Sequence, residues 1–537
     1  MKNKILFFLC KRFLFTVMWI ISLSMMGQNI SIRGTVIDDK KVPIPGVTVV
    51  VKGEASHGTV TDVDGNYLIN NVNPNATLQF SYIGMKIVEA NVNNRRTIDV
   101  VLTEDTQLLE DVVVVGYGTQ SKERVSTSIT TVRGDKLENK PLSNITQALI
   151  GQASGVWLQQ VNGVPGSVPN IRIRGNGSIT SGNNPLYVVD GFPMTGGEFN
   201  AISLNDIESV DILKDAASAA IYGSKAGNGV ILVTTKKGKS GKTNFSFNSL
   251  IGFNELSKKI EMLNAEQYVE MAKESVTNQG ASTIPEWFTN SDLWENNDWQ
   301  DVIFRKAMVQ NYQLGASGGT DNVRFNMSLG YLDQQGILKN SYMTRYNFKA
   351  DIHAKLNDLM TVGANFLGSY TESRNQEPIG TNTQSGVGGV IAVALSCPPI
   401  MPIWRENGDY FIPFQDQKAL QAFNVGLTNP LNKLDANKDY SKVYRPSVSM
   451  FIELSPIKNL KIRTSLLNSL VIGRGENYVE AFLAKGGTNR GNISTPDLTQ
   501  ITAYRSNSIY HNIYWSNTVS YDLSSNEHNL TTLLGYD

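Results

Sequence analysis

Few residues of this 537-residue chain are placed for covalent chemistry. Its four histidines, His57, His353, His511 and His528, form neither a His-Glu-x-x-His zinc motif nor a spaced pair. Asp206, Glu208, Asp211 and Asp215 form an acidic set, and general acid–base work needs a positioned pair of such groups. Along a strand, Asp206 and Glu208 share a face; ordinary surface charge or carboxylates at a helix start are the expected roles. Asp62 and Asp64 open like a calcium loop. That loop needs glycine at its sixth position and glutamate at its twelfth, where this chain has Tyr67 and Asn73, so a plain turn is expected. Arg174-Gly175-Asn176-Gly177 is glycine-rich, yet no GxxxxGK[ST] occurs and no helix opens directly after a glycine fingerprint, so no nucleotide site is expected. No metal or cofactor follows from these residues.

The stretch that does ask for a role is EDVVVVGYGTQ, Glu110 to Gln120. Four consecutive valines suit a strand buried on both faces, but polar, turn-prone sequence follows and no partner strand is evident. Either it is the last strand of a domain before it, or it is a strand to be lent to another protein's sheet edge.

The elements around it set the context. A length prior gives roughly three or four domains. Lysine plus arginine and aspartate plus glutamate number 48 each, which argues against nucleic acid as the main partner. Lys2, Lys4, Lys11 and Arg12 precede an apolar run from Phe13 to Leu23, followed by Ser24 and Gly27, a secretory signal pattern over residues 1–28. That run is about 11 residues, too short to span a membrane. Cys10 would leave with the signal, so Cys397 alone would remain and no internal disulfide is expected. No later stretch is long and apolar enough for a spanning helix, so a membrane form of this chain would have to be a closed β-barrel.

Residues 30–104 read as a β-sandwich of short strands, with alternation at Ile30, Ile32, Thr35 and at Val47, Val49, Val51, and turns at Pro43–Gly46, Asp64-Gly65 and Asn73–Asn75. The run GTVTDVDGNYLI resembles the carboxypeptidase-regulatory-like domain, a transthyretin-type seven-stranded sandwich. Residues 121–240 read as a small α+β domain: a helix capped by Ser143, a strand through Ile171 and Ile173, a tight hairpin at Asp190-Gly191, and a strand–helix–strand unit with Gly223 ending the helix. From residue 241 alternation becomes long and regular. In RYNFKADIHAKL, Tyr346, Phe348, Ala350, Ile352, Ala354 and Leu356 share one face, and Arg345, Asn347, Lys349, Asp351, His353 and Lys355 the other. About nine such runs, each near 10 residues, fit tilted membrane strands. Tyr331, Tyr370, Tyr521 and Tyr536 are candidates for interfacial positions. Connections alternate between tight turns (Gly318–Asp321, Asn357-Asp358) and long loops at 255–306 and 373–442. The first of these loops carries Trp287, Trp294 and Trp299; a glycan could stack on them, but packing of the loop on itself is the leading reading.

The segments RIRGNGSITSGNNPLYVVDGFP and LNDIESVDILKDAASAAIYGSKAGNGVILVTTKKG resemble the plug domain of SusC/RagA-family TonB-dependent outer-membrane transporters. One departure is Gly227 where the family usually has alanine before Asn228-Gly229. The resemblance implies a mainly β architecture: signal peptide, sandwich, a 105–120 linker, plug at 121–240, then from 241 the first part of a barrel of about 22 strands. It makes Asp111, Val112, Val113, Val114, Val115, Gly116 and Tyr117 the TonB box. It implies the TonB C-terminal domain, a SusD-like surface lipoprotein, a glycan or peptide substrate and outer-membrane lipid as partners, and no enzyme activity or cofactor. Nine strands would leave two raw edges, each with roughly ten unpaired backbone groups at several kcal/mol apiece in hydrocarbon, so the chain is expected to be a truncated portion. A siderophore receptor is one alternative; a secreted sandwich adhesin or hydrolase, with apolar faces packed together, is another.

Overall fold

The computed structural model describes residues 29–39, 41–82, 85–103, 112–115, 118–121, 129–138, 140, 142–160, 162–180, 182–376, 389–413, 416–423, 429–479, 488–489, 492–493, 501–525 and 528–537. The targeting segment expected at 1–28 lies outside them. The chain divides into two compact units, one ending at Val112 and one beginning at Val113.

The first unit is a sandwich of seven strands: β1 (Ile30–Asp38), β2 (Thr48–Val51), β3 (Glu54–Val60), β4 (Asn66–Val72), β5 (Thr77–Ser81), β6 (Val88–Asn91) and β7 (Val100–Leu102). They form two sheets, ordered β4-β1-β7 and β3-β2-β5-β6. Every second residue points inward, so Ile32, Val36, Val49, Val51, Ile69, Leu78 and Phe80 make a common core. Burying a side chain such as Phe80 contributes about 1.5–3 kcal/mol. Thr35 does not belong with Ile32 on the inner face. It points away, and its N–H and hydroxyl donate to Asp99 at 2.8 and 2.9 Å. Asp62 is a turn residue: its carboxylate accepts the backbone N–H groups of Asp64 and Asn66 at 3.0 and 2.8 Å.

The valine run forms β8 (Val112–Val115), paired with β9 (Gly118–Ser121) in a two-stranded ribbon. The run therefore has a partner, which the sequence reading missed because Gly118–Ser121 carries no strand-forming pattern of its own.

The α+β domain contains β10 (Ile129–Arg133), β11 (Val156–Gln159), β12 (Asn170–Ile173), β13 (Leu186–Val189), β14 (Phe192–Met194), β15 (Ile207–Leu213) and β16 (Val230–Thr235). Five strands make one sheet, ordered β10-β15-β16-β13-β14, and β11 pairs with β12. The sheet packs over Leu137, Ile145, Leu149, Phe199, Ile207, Ile212 and Ile231. Asp190 (φ 48°) and Gly191 (φ 91°) turn β13 into β14, as a two-residue hairpin requires. Gly223 (φ 64°) breaks the helical run after β15. The first helix, Ile145–Ala148, is capped by Asn144, whose side chain accepts from Gln147 N–H, rather than by Ser143.

The remaining residues build an antiparallel wall of nine strands among the described residues, each hydrogen-bonded to the next in sequence order. They are β17 (Gly241–Asn254), β18 (Ala307–Gly319), β19 (Val323–Gln335), β20 (Tyr342–Lys355), β21 (Met360–Asn375), β22 (Asn437–Ile457), β23 (Leu460–Val479), β26 (Thr502–Ser525) and β27 (His528–Tyr536); a short ribbon, β24 (Thr488–Asn489) with β25 (Asn492–Ile493), lies in the connection before β26. The polarity of this wall is the reverse of a soluble sheet. Along β20, Arg345, Lys349 and Asp351 are buried, whereas Tyr346, Phe348 and Ile352 are exposed. The neighbouring strands repeat the pattern with Leu314, Leu329, Met450, Ile452, Leu466 and Trp515 outside and Gln313, Ser328, Ser447 and Ser469 inside. The wall is thus not half of a sandwich with apolar faces packed together. Polar atoms on the outer face pair with one another, as Trp515 Nε1 does with Thr464 Oγ1 at 3.0 Å.

The outer apolar face ends in a row of tyrosines. Tyr312, Tyr331, Tyr346, Tyr370 and Tyr444 are successive register partners across β18 to β22, with ring centroids 4.6–6.4 Å apart. From Leu356 to Tyr346, ten rises of about 3.4 Å at a tilt near 40° give an apolar band about 26 Å high, close to that of a membrane-spanning barrel. Tyr521, paired with Leu460 beside a tight turn, lies near the opposite edge, whereas Tyr536 pairs with Asn517 four residues further in and is not at a rim. At the tyrosine end the strands run beyond the band: β22, β23 and β26 are 21, 20 and 24 residues long. The long connections therefore occupy 255–306 and 376–436, the second shorter than its alternation pattern indicated. Their described residues fold into one helical module, in which the helix Ala265–Asn278 begins with a capping box between Asn264 and Gln267.

Candidate functional site

The α+β domain meets the inner face of the wall through polar groups, each placed by an element end. Asp206 closes the short turn Leu204–Asp206 that feeds β15. Its Oδ1 accepts from Gln313 Nε2 of β18 at 2.7 Å and from Ser328 Oγ of β19 at 2.6 Å. Ser203, three residues earlier, donates to Gln313 Oε1 at 2.6 Å. Lys349 of β20, 1 % exposed, reaches the carbonyl of Lys236 just past β16 and Asn326 Oδ1 at 3.1 Å. Burial pushes the Asp206 carboxyl up from its ordinary range, and the Lys349 ammonium with the Ser328 and Gln313 donors opposes that shift.

A second group of contacts surrounds the Asp190-Gly191 hairpin. Asp190 Oδ2 accepts from Thr235 Oγ1 at 2.8 Å and from Asn365 Nδ2 of β21 at 2.9 Å. A third surrounds the helix Gly196–Phe199, where Glu198 forms a capping box with Thr195 and also bonds Ser469 of β23. Just beyond, Arg345 Nη1 donates to the Asn200 carbonyl at 2.9 Å and Asn347 Nδ2 to the Ala201 carbonyl at 2.5 Å. These links are hydrogen bonds among carboxylate, amide, hydroxyl, ammonium and guanidinium groups and backbone carbonyls, with Leu367 of β21 packed on the plug core beside them. Such a seam holds a domain in register, yet it exposes no large apolar surface when the domain shifts.

Comparison with known proteins gives this geometry a lineage. Residues 121–230 match the TonB-dependent receptor plug domain and residues 32–114 the CarboxypepD_reg-like domain. The chain is 33 % identical over 433 residues to the TonB-dependent receptor SusC of Bacteroides thetaiotaomicron, covering 78 % of this chain and 40 % of the relative. It is 38 % identical over 439 residues to a TonB-dependent receptor of Formosa agariphila, covering 81 % of this chain and 42 % of the relative. The solved structure of the RagAB peptide importer in its open-open state superposes with a TM-score of 0.65 at 26 % identity, over 79 % of this chain and 48 % of that one. The chain belongs to the SusC/RagA family of TonB-dependent receptors. It spans about half the length of the curated relatives it matches.

In SusC/RagA terms the α+β domain is the plug, and the acidic set read from its sequence divides by location. Asp206 is a plug–wall contact, not surface charge and not in a strand. Asp211 is buried inside the plug sheet, where Thr131 Oγ1 and Ser209 Oγ donate to it at 2.5 and 3.3 Å; burial raises its pKa and those two bonds oppose the rise. Asp215 pairs with Arg174 at the plug surface. Only Glu208 is plain exposed charge.

Of the box residues, Val112, Val113, Val114 and Val115 form β8, whose strand belongs to neither sandwich sheet nor to the plug sheet. Asp111, Gly116 and Tyr117 lie outside the described residues. The tryptophans of the long connection are structural. Trp287 and Trp299 are 4 and 3 % exposed. Trp287 packs against Phe411 and Phe423 at 5.5 and 5.1 Å, and Trp299 Nε1 donates to the Pro398 carbonyl at 2.9 Å. Trp294 is partly buried against the same core, its indole N–H on the Trp287 carbonyl. Their faces are occupied by protein, so they do not form a sugar platform. The aromatic surface of this module is instead Trp404, 47 % exposed and stacked on Tyr410 at 4.4 Å, a pair the sequence reading did not single out. Cys397 is buried in the same module, and burial pushes its thiol well above the ordinary range.

Proposed function

We propose that the chain serves energy-coupled import of an oligosaccharide or peptide across the outer membrane. The wall sits in the membrane with its tyrosine-edged apolar face in lipid, and the plug closes its inside. The segment Asp111 to Tyr117 is the TonB box. It adds as a strand to the TonB C-terminal domain, where main-chain hydrogen bonds supply the affinity and the valines hold the backbone extended. A pull along this strand reaches the plug directly, because the plug's first sheet strand begins at Ile129. A SusD-like surface lipoprotein covers the long-connection end and delivers substrate. No covalent step is needed.

The observation that carries this reading is the reversed polarity of the wall: charged and amide side chains turned toward the plug, apolar ones turned out. A solved neighbour titled a peptide importer supports the peptide reading of the substrate. The test is uptake by cells carrying the protein with Asp111–Tyr117 deleted. Uptake is lost while substrate still binds the cell surface; unchanged uptake refutes the assignment.

A further inference from the structure

The outer face of the wall changes character in one step at the tyrosine row. Tyr444 of β22 and Ile472 of β23 are register partners at the top of the apolar band. One outward row further on, the partners are Lys442 and Arg474, both exposed. Residues directly opposite on antiparallel strands have Cβ atoms about 5 Å apart, so these two cations repel. Glu372 lies 3.7 Å from Lys442, but its carboxylate is shared with the hydroxyls of Tyr370 and Tyr342 at 2.9 and 3.4 Å. Among the described residues no ion pair involves Arg474. Further from the band Arg505 pairs with Glu476 at 2.6 Å, and Lys438 lies over the Tyr478 ring at 5.5 Å. The row that borders the apolar band thus carries two cations and one carboxylate, and Arg474 is its unbalanced charge.

Beside it, on the band itself, the outer face is hollowed. A cleft of about 630 Å³ is lined by Leu314, Leu329, Tyr346, Phe348, Phe366 and Tyr370. Gly368 keeps it open: a Cβ there would lie 2.8 Å from the Phe366 ring. Strands about 4.8 Å apart put the near side of the cleft, β21, roughly 10 Å from β23 and its far side, β18, roughly 24 Å from it, within the spread of one several-chained lipid molecule.

We propose that Lys442, Arg474 and this cleft form a site for one phosphorylated glycolipid of the outer leaflet. Its phosphate sits between the two cations, relieving their repulsion, and one acyl chain fills the cleft. Free phosphate does not fit the site as well, because exposed cations alone hold an anion weakly and leave the apolar cleft unused. The inference rests on the proposed membrane orientation of the wall, with the long connections outside.

The test uses the full-length protein extracted from outer membranes, with monophosphoryl lipid A and its dephosphorylated form as probes and native mass spectrometry as readout. Wild type binds the phosphorylated probe ~10-fold more tightly than the dephosphorylated one. The double variant Lys442→Ser/Arg474→Ser loses that preference, Arg505→Ser keeps it, and Gly368→Leu weakens both probes alike. Heat-modifiable migration on gels verifies that each variant is folded. Equal binding of both probes by wild type, or displacement of lipid A by millimolar inorganic phosphate, overturns the proposal. Membrane fractionation before extraction separates the two readings: absence from the outer membrane sinks the orientation itself, whereas presence there without a phosphate preference sinks only the lipid site.

Discussion

Asp206 of the plug and Ser328 of the wall are joined by a 2.6 Å hydrogen bond across 122 residues of sequence. With Gln313 as second donor and Lys349 close by, this carboxylate is a buried acid of the plug–wall seam. A buried acceptor with two donors aimed at it is costly to remove from one side only.

Asp206→Ala therefore strands Gln313 and Ser328 and takes away one of the carboxylates around Lys349, with Asp190 and Asp351 remaining. We expect a loss of about 2–4 kcal/mol in plug docking, read as faster hydrogen exchange and proteolysis of β15 and β16 in the intact protein. Asp206→Asn keeps one acceptor oxygen and loses less. Identical protection in wild type and Asp206→Ala would remove the seam from the account.

Asp211 supplies a pH dependence of known sign. Its folded-state pKa is raised by burial, so the folded plug holds that proton more tightly than the unfolded chain does. The stabilisation is complete below the ordinary aspartate pKa and is lost as pH climbs through the raised value. Asp206 acts in the same direction. Protection of β10 and β15, corrected for intrinsic exchange, should fall on going from acidic to neutral pH in wild type. Asp211→Asn should flatten that fall; a variant with an unchanged profile contradicts the assignment.

Gly134 tests the packing of the plug against its own sheet. A Cβ there would lie 2.1 Å from the Ile207 carbonyl oxygen, and backbone cannot yield as a flexible side chain does. Gly134→Ala should cost about 1–3 kcal/mol, seen as a lower unfolding midpoint, while Gly163→Ala, with open space around it, should be silent.

The box prediction concerns main chain rather than side chain. Val114→Pro deletes an N–H that strand addition uses, whereas Val114→Ile keeps it. Uptake should drop at least ~10-fold in the first and stay near wild type in the second. Equal uptake in both would mean that the strand is not lent.

Much of this architecture could be read from sequence because period-two alternation survives whichever side the solvent lies on. RYNFKADIHAKL placed Arg345, Lys349 and Asp351 on one face of β20 and Tyr346, Phe348 and Ile352 on the other, as they stand, and the Asp190-Gly191 pair announced its turn through the positive φ that such turns need. What stayed hidden depended on partners distant in sequence. Nothing about Asp206 in isolation says that Gln313 and Ser328 will face it. Trp287 and Trp299 gave no sign that Phe411, Phe423 and Pro398 would meet them, and the lengths of β22, β23 and β26 were hidden because their outer ends carry charge on the outward face. Ser143 and Asn144 are both good caps, and only the backbone chose between them.

The most direct measurement is a nitroxide scan along β20 in native outer membranes, one cysteine substitution at a time from Tyr346 to Lys355. Labels at Phe348, Ala350, Ile352 and Ala354 should collide readily with membrane-dissolved oxygen and poorly with a water-soluble nickel chelate, while labels at Asn347, Lys349, Asp351 and His353 should be shielded from oxygen. Loss of that two-residue alternation, or its inversion with the even-numbered positions protected, would contradict a lipid-facing wall closed by a plug.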